Sequence, residues 1–191
     1  MLNGVLLAED ETIIRLDLCK LLERAGYAIV AEARDGEEAV ELARRHEPDL
    51  AIMDVKMPKL DGIEAARQIV EERPIPIVML TAYGRKELVE RAVDARVFGY
   101  LVKPFQGRDL LAAIATAQAR HEELTTVREE AASLAEALEA RKAIERAKGL
   151  LMEREGLTER EAFARLRRAS QLSSRPIGVI AEAVVIALSD A

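Results

Sequence analysis

The first 118 residues alternate short apolar runs with amphipathic segments, and this alternation limits the possible folds more than any other feature of the chain. The apolar runs, which predict strands, are Val5–Ala8, Ala28–Glu32, Leu50–Met53, Ile77–Leu80 and Tyr100–Val102. The amphipathic segments, which predict helices, lie near Glu11–Arg24, Gly36–Arg45, Gly62–Glu72, Arg85–Asp94 and Gly107–Ala119. Strands that are nearly all apolar and separated by helices are typical of a parallel sheet with both faces covered. The pattern therefore predicts an α/β fold, a (βα)5 doubly wound parallel sheet, over residues 1–118.

Composition bears on where such a chain works. Its 191 residues include a single cysteine, Cys19, so no disulfide framework is possible, and the surrounding apolar helical pattern predicts that this thiol is buried. No basic leader precedes the first apolar run, and no stretch approaches the roughly 20 consecutive apolar residues that span a bilayer. We therefore expect a cytoplasmic protein that is neither exported nor bound to a membrane.

Beyond residue 118 the pattern becomes helical throughout, and no proline occurs before Pro176. Apolar residues recur there at alternating steps of three and four, which is typical of a coiled-coil seam and predicts a linker helix over residues 119–140. We call these residues the seam: Leu124, Val127, Ala131, Leu134 and Leu138. The seam predicts either a dimer stem or a helix that packs on its own domain.

Residues 141–191 have the pattern of a small all-α domain of three helices. An apolar stripe through Ile144 and Leu151 ends at Gly156, and Thr158 with Glu161 predicts a capping box that starts the next helix. Pro176 predicts the start of a last helix. The inner faces are predicted to include Ala147, Leu150, Leu151, Met152, Ala162, Phe163, Leu166, Ile177, Ile180, Val184 and Leu188.

Charge differs sharply between these two helical regions. From Glu122 to Ala140 there are six glutamates and one arginine, whereas Arg141 to Arg175 contains ten basic and five acidic residues. A basic patch after an acidic stem favours an anionic partner such as nucleic acid, although solvated helix faces have the same composition.

Carboxylates follow two of the predicted strands. Glu9 and Asp10 come after the first strand and Asp54 after the third. Loops at the carboxyl ends of parallel strands meet, and crowded carboxylates are stable there only with a cation. Mg²⁺ is the expected cofactor, held by Glu9, Asp10, Asp54, the backbone carbonyl of Lys56 and water. With the metal bound, Asp54 would be the phosphorylation site, an acyl-phosphate acceptor.

Two further strand ends complete this site. Thr81 follows the fourth strand and can donate to a phosphoryl oxygen, and Lys103 follows the fifth and can pair with the phosphate. The segments that carry these residues, LLAEDE, IMDVKMPKLDG, VMLTA and GYLVKPF, resemble the receiver domain of two-component response regulators.

The receiver resemblance covers residues 1–118 and implies a flavodoxin-like strand order, 2-1-3-4-5, with phosphotransfer from a sensor histidine kinase to Asp54. It makes Thr81 and Lys103 the switch pair, with Tyr100 as the aromatic residue that rotates inward. Glu9 departs from the family pattern, in which aspartate is commoner, and this difference bears on metal affinity and on the rate of dephosphorylation.

The C-terminal segment RKAIERAKGLLMEREGLTEREAFARLRRASQ, with the helix after Pro176, resembles the ANTAR family of RNA-binding transcription antiterminators. The resemblance implies binding of paired RNA hairpins in leader transcripts, which stops a terminator from forming. The candidate RNA-binding residues are Arg146, Lys148, Arg165, Arg167 and Arg168. Two hairpins suit two copies of the domain, so phosphorylation is expected to promote a homodimer through the seam.

Two other outputs remain open. Three helices with arginines also fit a DNA-binding helix-turn-helix, and a protein-interaction module would need no nucleic acid. An enzymatic output is not expected, because the chain after His121 contains neither histidine nor cysteine.

Overall fold

The structure is a computed structural model that describes residues 4–82 and 97–189, and the chain divides into two compact units, residues 1–124 and 125–191. The predicted helix Arg85–Asp94 lies outside the described residues. The strands of the first unit are β1 (Gly4–Ala8), β2 (Ala28–Ala33), β3 (Leu50–Asp54), β4 (Ile77–Thr81) and β5 (Gly99–Val102). The complete helices among the described residues of this unit are α1 (Thr12–Arg24), α2 (Gly36–His46) and α3 (Gly62–Glu72), and α4 (Gly107–Glu155) begins in it.

The five strands form one parallel sheet in the order β2-β1-β3-β4-β5, so both the predicted topology and the predicted order are confirmed. Alternate residues of the strands face opposite sides. Val5 and Leu7 pack with Leu18 and Leu22 of α1 and with the first turns of α4, whereas Leu6 packs on the side of α2 and α3. Cys19 is buried among the residues of the α1 side, as predicted.

Helix α4 is longer than any helix that the sequence pattern indicated. It runs as one element from Gly107 to Glu155, through the segment predicted as a separate linker helix. No proline interrupts it, and Gly149 is its one internal glycine, which a long helix tolerates at a cost of about 1 kcal/mol. Gly156, at φ +69°, takes the left-handed conformation that ends the helix where the sequence predicted.

The second unit packs the C-terminal part of α4 with α5 (Glu159–Ser173) and α6 (Ile177–Ser189). The predicted capping box is confirmed: Thr158 accepts from the Glu161 amide, and the Glu161 carboxylate accepts from the Thr158 amide at 2.9 Å. The buried core is Ala147, Leu151, Ala162, Leu166 and Ala181.

Two residues predicted to belong to this core are exposed instead. Met152 is 41% exposed because it follows the inward-facing Leu151 by one residue, about 100° around the helix. Phe163 is 44% exposed for the same reason, since Ala162 and Leu166 occupy the inner face of α5.

Among the described residues, no single helix has both the length and the apolar character to cross a membrane; α5 and α6 up to Leu188 meet that test only when taken together, with a bend of 114° between them.

Candidate functional site

The three predicted carboxylates meet at the carboxyl ends of β1 and β3. Glu9 and Asp10 follow β1, and Asp54 is the last residue of β3, its neighbour in the sheet. One carboxylate oxygen from each residue lies within 4.8 Å of the other two. Glu9 and Asp54 are buried, while Asp10 is exposed. This cluster, which we call the acidic pocket, is the one that the sequence predicted.

Lys103 lies in the same pocket and contacts both buried carboxylates. Its ammonium donates to Glu9 Oε2 at 2.6 Å and to Asp54 Oδ2 at 2.5 Å. The Lys103 amide donates to the Thr81 carbonyl at 2.7 Å, which continues the pairing of β5 with β4, and the Lys103–Pro104 peptide is cis. The pocket therefore contains a cation of its own beside its acids.

Burial and charge together determine the protonation of Glu9 and of Lys103. Burial raises the pKa of Glu9 above its ordinary value, and the charge of Asp54 raises it further, against the hydrogen bond from Lys103. For Lys103, burial works against the ammonium, but the bonds to Asp54 and Glu9 outweigh it and raise the pKa. Lys103 is therefore held in its charged form between the two acids.

The loop after β3 fixes the position of Asp54 through backbone hydrogen bonds. The Lys56 amide donates to Asp54 Oδ1 at 3.1 Å, and the Gly62 amide donates to the Val55 carbonyl at 2.9 Å. A Cβ at Gly62 would lie 1.9 Å from the carbonyl oxygen of Asp54, so only glycine permits this close approach. The DG pair at the start of α3 is thus part of the architecture of the pocket.

Thr81 and Tyr100 lie on the neighbouring strands. Thr81 is the last residue of β4 and is 1% exposed. Tyr100, in β5, is half-buried and packs against the core on the side of α2 and α3. The structure therefore places Thr81 at the end of β4, Tyr100 within β5 and Lys103 directly after β5, which are the two strands that follow β3 in the sheet order.

The acidic pocket fits a magnesium ion. Its donor set consists of carboxylate oxygens, the hard ligands that Mg²⁺ prefers, and exposed Asp10 leaves one side open to water or to a phosphate group. Glu9, one methylene longer than aspartate, still brings an oxygen within the 4.8 Å limit. A ligand role for the Lys56 carbonyl stays a prediction.

The five candidate RNA-binding residues do not lie together in the second unit. Lys148 is 8% exposed, and its ammonium contacts Glu145 at 2.9 Å and Glu159 at 2.7 Å, which bridges α4 and α5. The hydrogen bonds to these two carboxylates raise the pKa of Lys148, and the bond to Glu159 has the larger effect. Arg165 pairs with Glu155. Lys148 is therefore buried and paired within the chain, whereas the side chain of Arg165 stays 57% exposed although it is paired; a role for either residue in RNA binding stays a prediction.

The three other cations are exposed but lie on two surfaces. Arg167 and Arg168 line a hollow on α5 beside Phe163, and Arg146 lines a separate groove with Glu182 and Ile186 of α6. Within residues 4–82 and 97–189, none of these three arginines makes an ion pair or a hydrogen bond with another side chain.

Phe163 is the aromatic residue that the sequence pattern assigned to the core, and the structure puts it on the surface among basic residues. Two adjoining hollows share Phe163, Arg167 and Gln171, and Arg160 completes the outer one. We call these four residues the Phe163 face. Their spacing of three or four residues per step, which puts them on one side of α5, was readable from the sequence.

The seam is exposed along α4. Leu124 is 42% exposed, Val127 55%, Leu134 72% and Leu138 54%, and Ala131 is exposed as well. The described residues thus give no support to the alternative that the seam packs on its own domain.

Two residues were not singled out correctly from the sequence. Arg15 is 7% exposed and contacts the backbone of Glu9, although its helical segment was predicted only as amphipathic. His121, to which the sequence analysis gave no structural role, is half-buried and meets the ring of Phe98 edge to face with centroids 5.5 Å apart.

Family models match both parts of the chain. The response regulator receiver domain matches residues 5–115, and the ANTAR domain matches residues 132–185. The chain therefore belongs to the response regulators, with a receiver domain followed by an ANTAR domain.

Individual proteins agree with this assignment. The transcriptional regulatory protein PdtaR of Mycobacterium tuberculosis is 52% identical over 181 residues, which covers 95% of this chain and 88% of PdtaR. The chemotaxis protein CheY of Bacillus subtilis is 36% identical over 115 residues, 60% of this chain and 96% of CheY.

Solved structures resemble the receiver part of the chain. The CheX–CheY–BeF3–Mg²⁺ complex of Borrelia burgdorferi contains a chain similar with a TM-score of 0.57 at 29% identity, covering 59% of this chain and 86% of that one. A receiver domain protein of Clostridium thermocellum has a TM-score of 0.59 at 31% identity, covering 64% of this chain and 99% of its own.

Proposed function

We propose that this response regulator is phosphorylated on Asp54 by a sensor histidine kinase and acts in the cytoplasm by binding RNA hairpins in leader transcripts, which prevents a terminator from forming. The observation that carries the proposal is the presence of the acidic pocket and an ANTAR domain in one chain. PdtaR, which aligns across both, is by its name a transcriptional regulatory protein. The proposal assigns no catalytic output to residues 141–191.

The chemistry expected at Asp54 is transfer of a phosphoryl group from a phosphohistidine. A carboxylate oxygen of Asp54 forms a bond to phosphorus, the bond from phosphorus to the imidazole nitrogen breaks, and its electron pair stays on that nitrogen. When bound, Mg²⁺ would neutralise the negative charge that accumulates between the carboxylate and the phosphoryl oxygens. Glu9, Asp10 and Asp54 would hold the ion, with the Lys56 carbonyl as a further ligand.

The proposed switch follows from the contacts of Lys103. The phosphoryl group carries about 1.5 to 2 negative charges and replaces the single charge of the Asp54 carboxylate, which Lys103 contacts at 2.5 Å. The ammonium would follow the new charge, and the Thr81 hydroxyl on the adjacent strand would supply a second donor. Tyr100, beside Met79 in the register of β4 and β5, would repack with that strand.

The proposed RNA surface is the Phe163 face together with Arg168. An exposed aromatic ring beside arginines is a stacking platform for unpaired loop bases, and the guanidinium groups neutralise the neighbouring phosphates. Lys148 is given no direct RNA contact, because it is buried and paired with two glutamates, whereas the exposed Arg165 and Arg146 stay candidates outside that surface.

The seam is proposed to join two copies of the chain after phosphorylation. Its residues form an exposed apolar stripe along α4, which is costly in water unless covered. Two copies would present two ANTAR domains, which matches a pair of hairpins on one transcript.

The test is binding of the beryllofluoride-treated protein, with Mg²⁺ present, to an RNA that carries two tandem short hairpins. Duplex DNA of similar charge and a salt series accompany it. We expect tight, RNA-selective binding that Asp54→Asn abolishes. Equal and weak binding to both polymers that vanishes with salt would contradict an RNA-specific output and favour a protein-interaction module, and preference for the duplex would favour a DNA-binding one.

A pair of matched variants tests the Phe163 face. Phe163→Ala is expected to weaken RNA binding about 5- to 100-fold, since stacking of one base contributes about 1–3 kcal/mol. Val179→Ala removes an equally exposed apolar side chain of α6, 45% against 44%, outside that face. Equal loss of affinity in both variants would contradict a stacking role.

A further inference from the structure

Arg15 is a buried cation next to the acidic pocket that takes no part in the cluster of carboxylates. It lies in the first turns of α1 and is 7% exposed. A guanidinium is buried at this level only when its donors are satisfied, so its partners indicate what it does.

One of those partners is the backbone of a pocket residue. Arg15 Nη1 donates to the carbonyl oxygen of Glu9 at 2.7 Å, in a buried bond, and Nε donates to Glu32 Oε2 at 3.2 Å. The Glu32 side chain is 48% exposed, so the bond to Glu9 is the more shielded of the two. Arg15 thus ties the end of β1 to α1 and to β2.

The carbonyl of Glu9 has a particular importance because it belongs to the peptide that joins Glu9 to Asp10. That peptide is planar, so a bond that holds the oxygen also orients the amide from which Asp10 continues. On the other side, the Glu9 amide donates to the Ala33 carbonyl at 3.1 Å. Both peptide planes of Glu9 are therefore held, one of them by Arg15.

No side-chain cap fixes the turn at the start of α1. The caps of α2, α3 and α5, namely Asp35, Asp61 and Thr158, each accept a hydrogen bond from their helix. Glu11, at the cap position of α1, makes no such bond. The turn that presents Asp10 is instead held by the Glu11 amide, which donates to Glu9 Oε1 at 3.4 Å, and from inside the helix by Arg15, whose bond to the Glu9 carbonyl is shorter at 2.7 Å.

We propose that Arg15 is a positioning residue for the metal site: by holding the Glu9 carbonyl it sets the directions in which the Glu9 and Asp10 carboxylates enter the acidic pocket. The inference rests on the proposed use of Mg²⁺. Groups that orient metal ligands without touching the ion typically change metal affinity by about 10- to 100-fold when removed. Because Arg15 acts through backbone, we expect an effect near the lower end of that range.

The experiment is a calorimetric Mg²⁺ titration of the full chain, together with amide relaxation of Glu9, Asp10 and Glu11 in the metal-free protein. Arg15→Met keeps the bulk and removes the donors, and we expect the Mg²⁺ dissociation constant to rise about tenfold and the Asp10 amide to become more mobile. Glu32→Gln removes the negative charge of the other partner, while its amide oxygen can still accept from Arg15 Nε, and it leaves the Glu9 bond, so near wild-type affinity is expected.

Leu18→Ala is the matched control for stability. Leu18 is buried in α1, 4% exposed, and packs in the core rather than against the pocket, so this variant should unfold more easily with unchanged Mg²⁺ affinity. If Arg15→Met does not fold, Arg15→Lys replaces it, which keeps the positive charge on a shorter side chain. We expect Arg15→Lys to lower the Mg²⁺ affinity about threefold, while Glu32→Gln leaves that affinity unchanged.

The possible failures are distinguishable. A wild-type chain that does not bind Mg²⁺ would overturn the proposed function and this inference together. Wild-type affinity in Arg15→Met, or an equal loss in Leu18→Ala or Glu32→Gln, would overturn the role of Arg15 alone.

Discussion

Gly62 is the residue at which the acidic pocket tolerates least change. Gly62→Ala would place a Cβ 1.9 Å from the Asp54 carbonyl oxygen, so the loop that carries the phosphorylation site must move. We expect a loss of about 1–3 kcal/mol in the free energy of unfolding, as for other overpacked sites, and slower phosphorylation by acetyl phosphate. Denaturant unfolding and a phosphorylation time course measure the two effects.

Gly149→Ala is the control for that substitution. Gly149 lies inside α4, and an added Cβ would meet no atom within 4 Å. Alanine is expected to stabilise the chain by about 0.5–1 kcal/mol. If both variants were equally destabilised, a close approach at Gly62 would not be the cause.

At the scale of residues, the sequence predicted the side chains of the acidic pocket better than the buried cations that hold neighbouring elements together. Asp54, Thr81 and Lys103 were found because each stands directly at a strand end, where a local pattern suffices. The burial of Arg15 and of Lys148 was not predicted, because it depends on partners that the fold brings near. These partners are Glu9 and Glu32 for Arg15, and Glu159 across the α4–α5 turn for Lys148.

At the scale of elements, the start of α2 gives a prediction about pH. The Asp35 carboxylate accepts from Lys59 and from the Glu38 amide, and both contacts lower its pKa below the ordinary 3.8. A lowered pKa means that the carboxylate stabilises the fold fully above its unfolded pKa and ceases to do so as pH falls through the folded one.

Asp35→Ala should therefore cost about 0.5–2 kcal/mol of unfolding free energy near neutral pH, and the gap to wild type should close in strong acid. Asp35→Asn, which can still cap the helix, should lose less. Chemical unfolding across a pH series measures both, and a gap that is constant down to the most acidic point would contradict the role of the carboxylate.

Lys148 joins two helices, and its contribution to RNA binding is separable from that of Arg167. Because its ammonium already contacts Glu145 and Glu159, we expect Lys148→Met to leave the salt dependence of RNA binding unchanged. Arg167→Met should reduce the slope of log affinity against log salt by about one. One series of RNA titrations at several salt concentrations measures both slopes. An equal reduction of the slope in the two variants would show that Lys148 contacts RNA as Arg167 does.

The elements of the sheet were predictable because each strand is a mostly apolar run, with Glu32 of β2 as an interior exception, whereas the extent of α4 was not. Along α4 the apolar residues first face the core of the receiver domain, then form the seam, and then form the inner face of the last unit. Each of these changes in the apolar pattern suggested a helix boundary. With no proline between Gly107 and Glu155, backbone hydrogen bonding continues through all of them.

At the scale of the whole molecule, the seam should control association. Leu134→Glu introduces a charge into the proposed interface at a side chain that is 72% exposed, and we expect this variant to stay monomeric with beryllofluoride while the wild type dimerises. Ala132→Glu adds the same charge to an exposed position outside the seam and should still dimerise. Sedimentation velocity distinguishes the two; a dimeric Leu134→Glu variant would place the interface elsewhere.

Lys103 also determines the electrical balance of the pocket. Glu9, Asp10 and Asp54 with one ammonium leave two negative charges, the amount that a single divalent cation cancels. A monovalent ion of similar radius, such as Li⁺ beside Mg²⁺, would leave one negative charge uncompensated in a pocket where two of the three carboxylates are buried, which is costly. Electroneutrality would thus make this pocket prefer a divalent ion to a monovalent one of the same size.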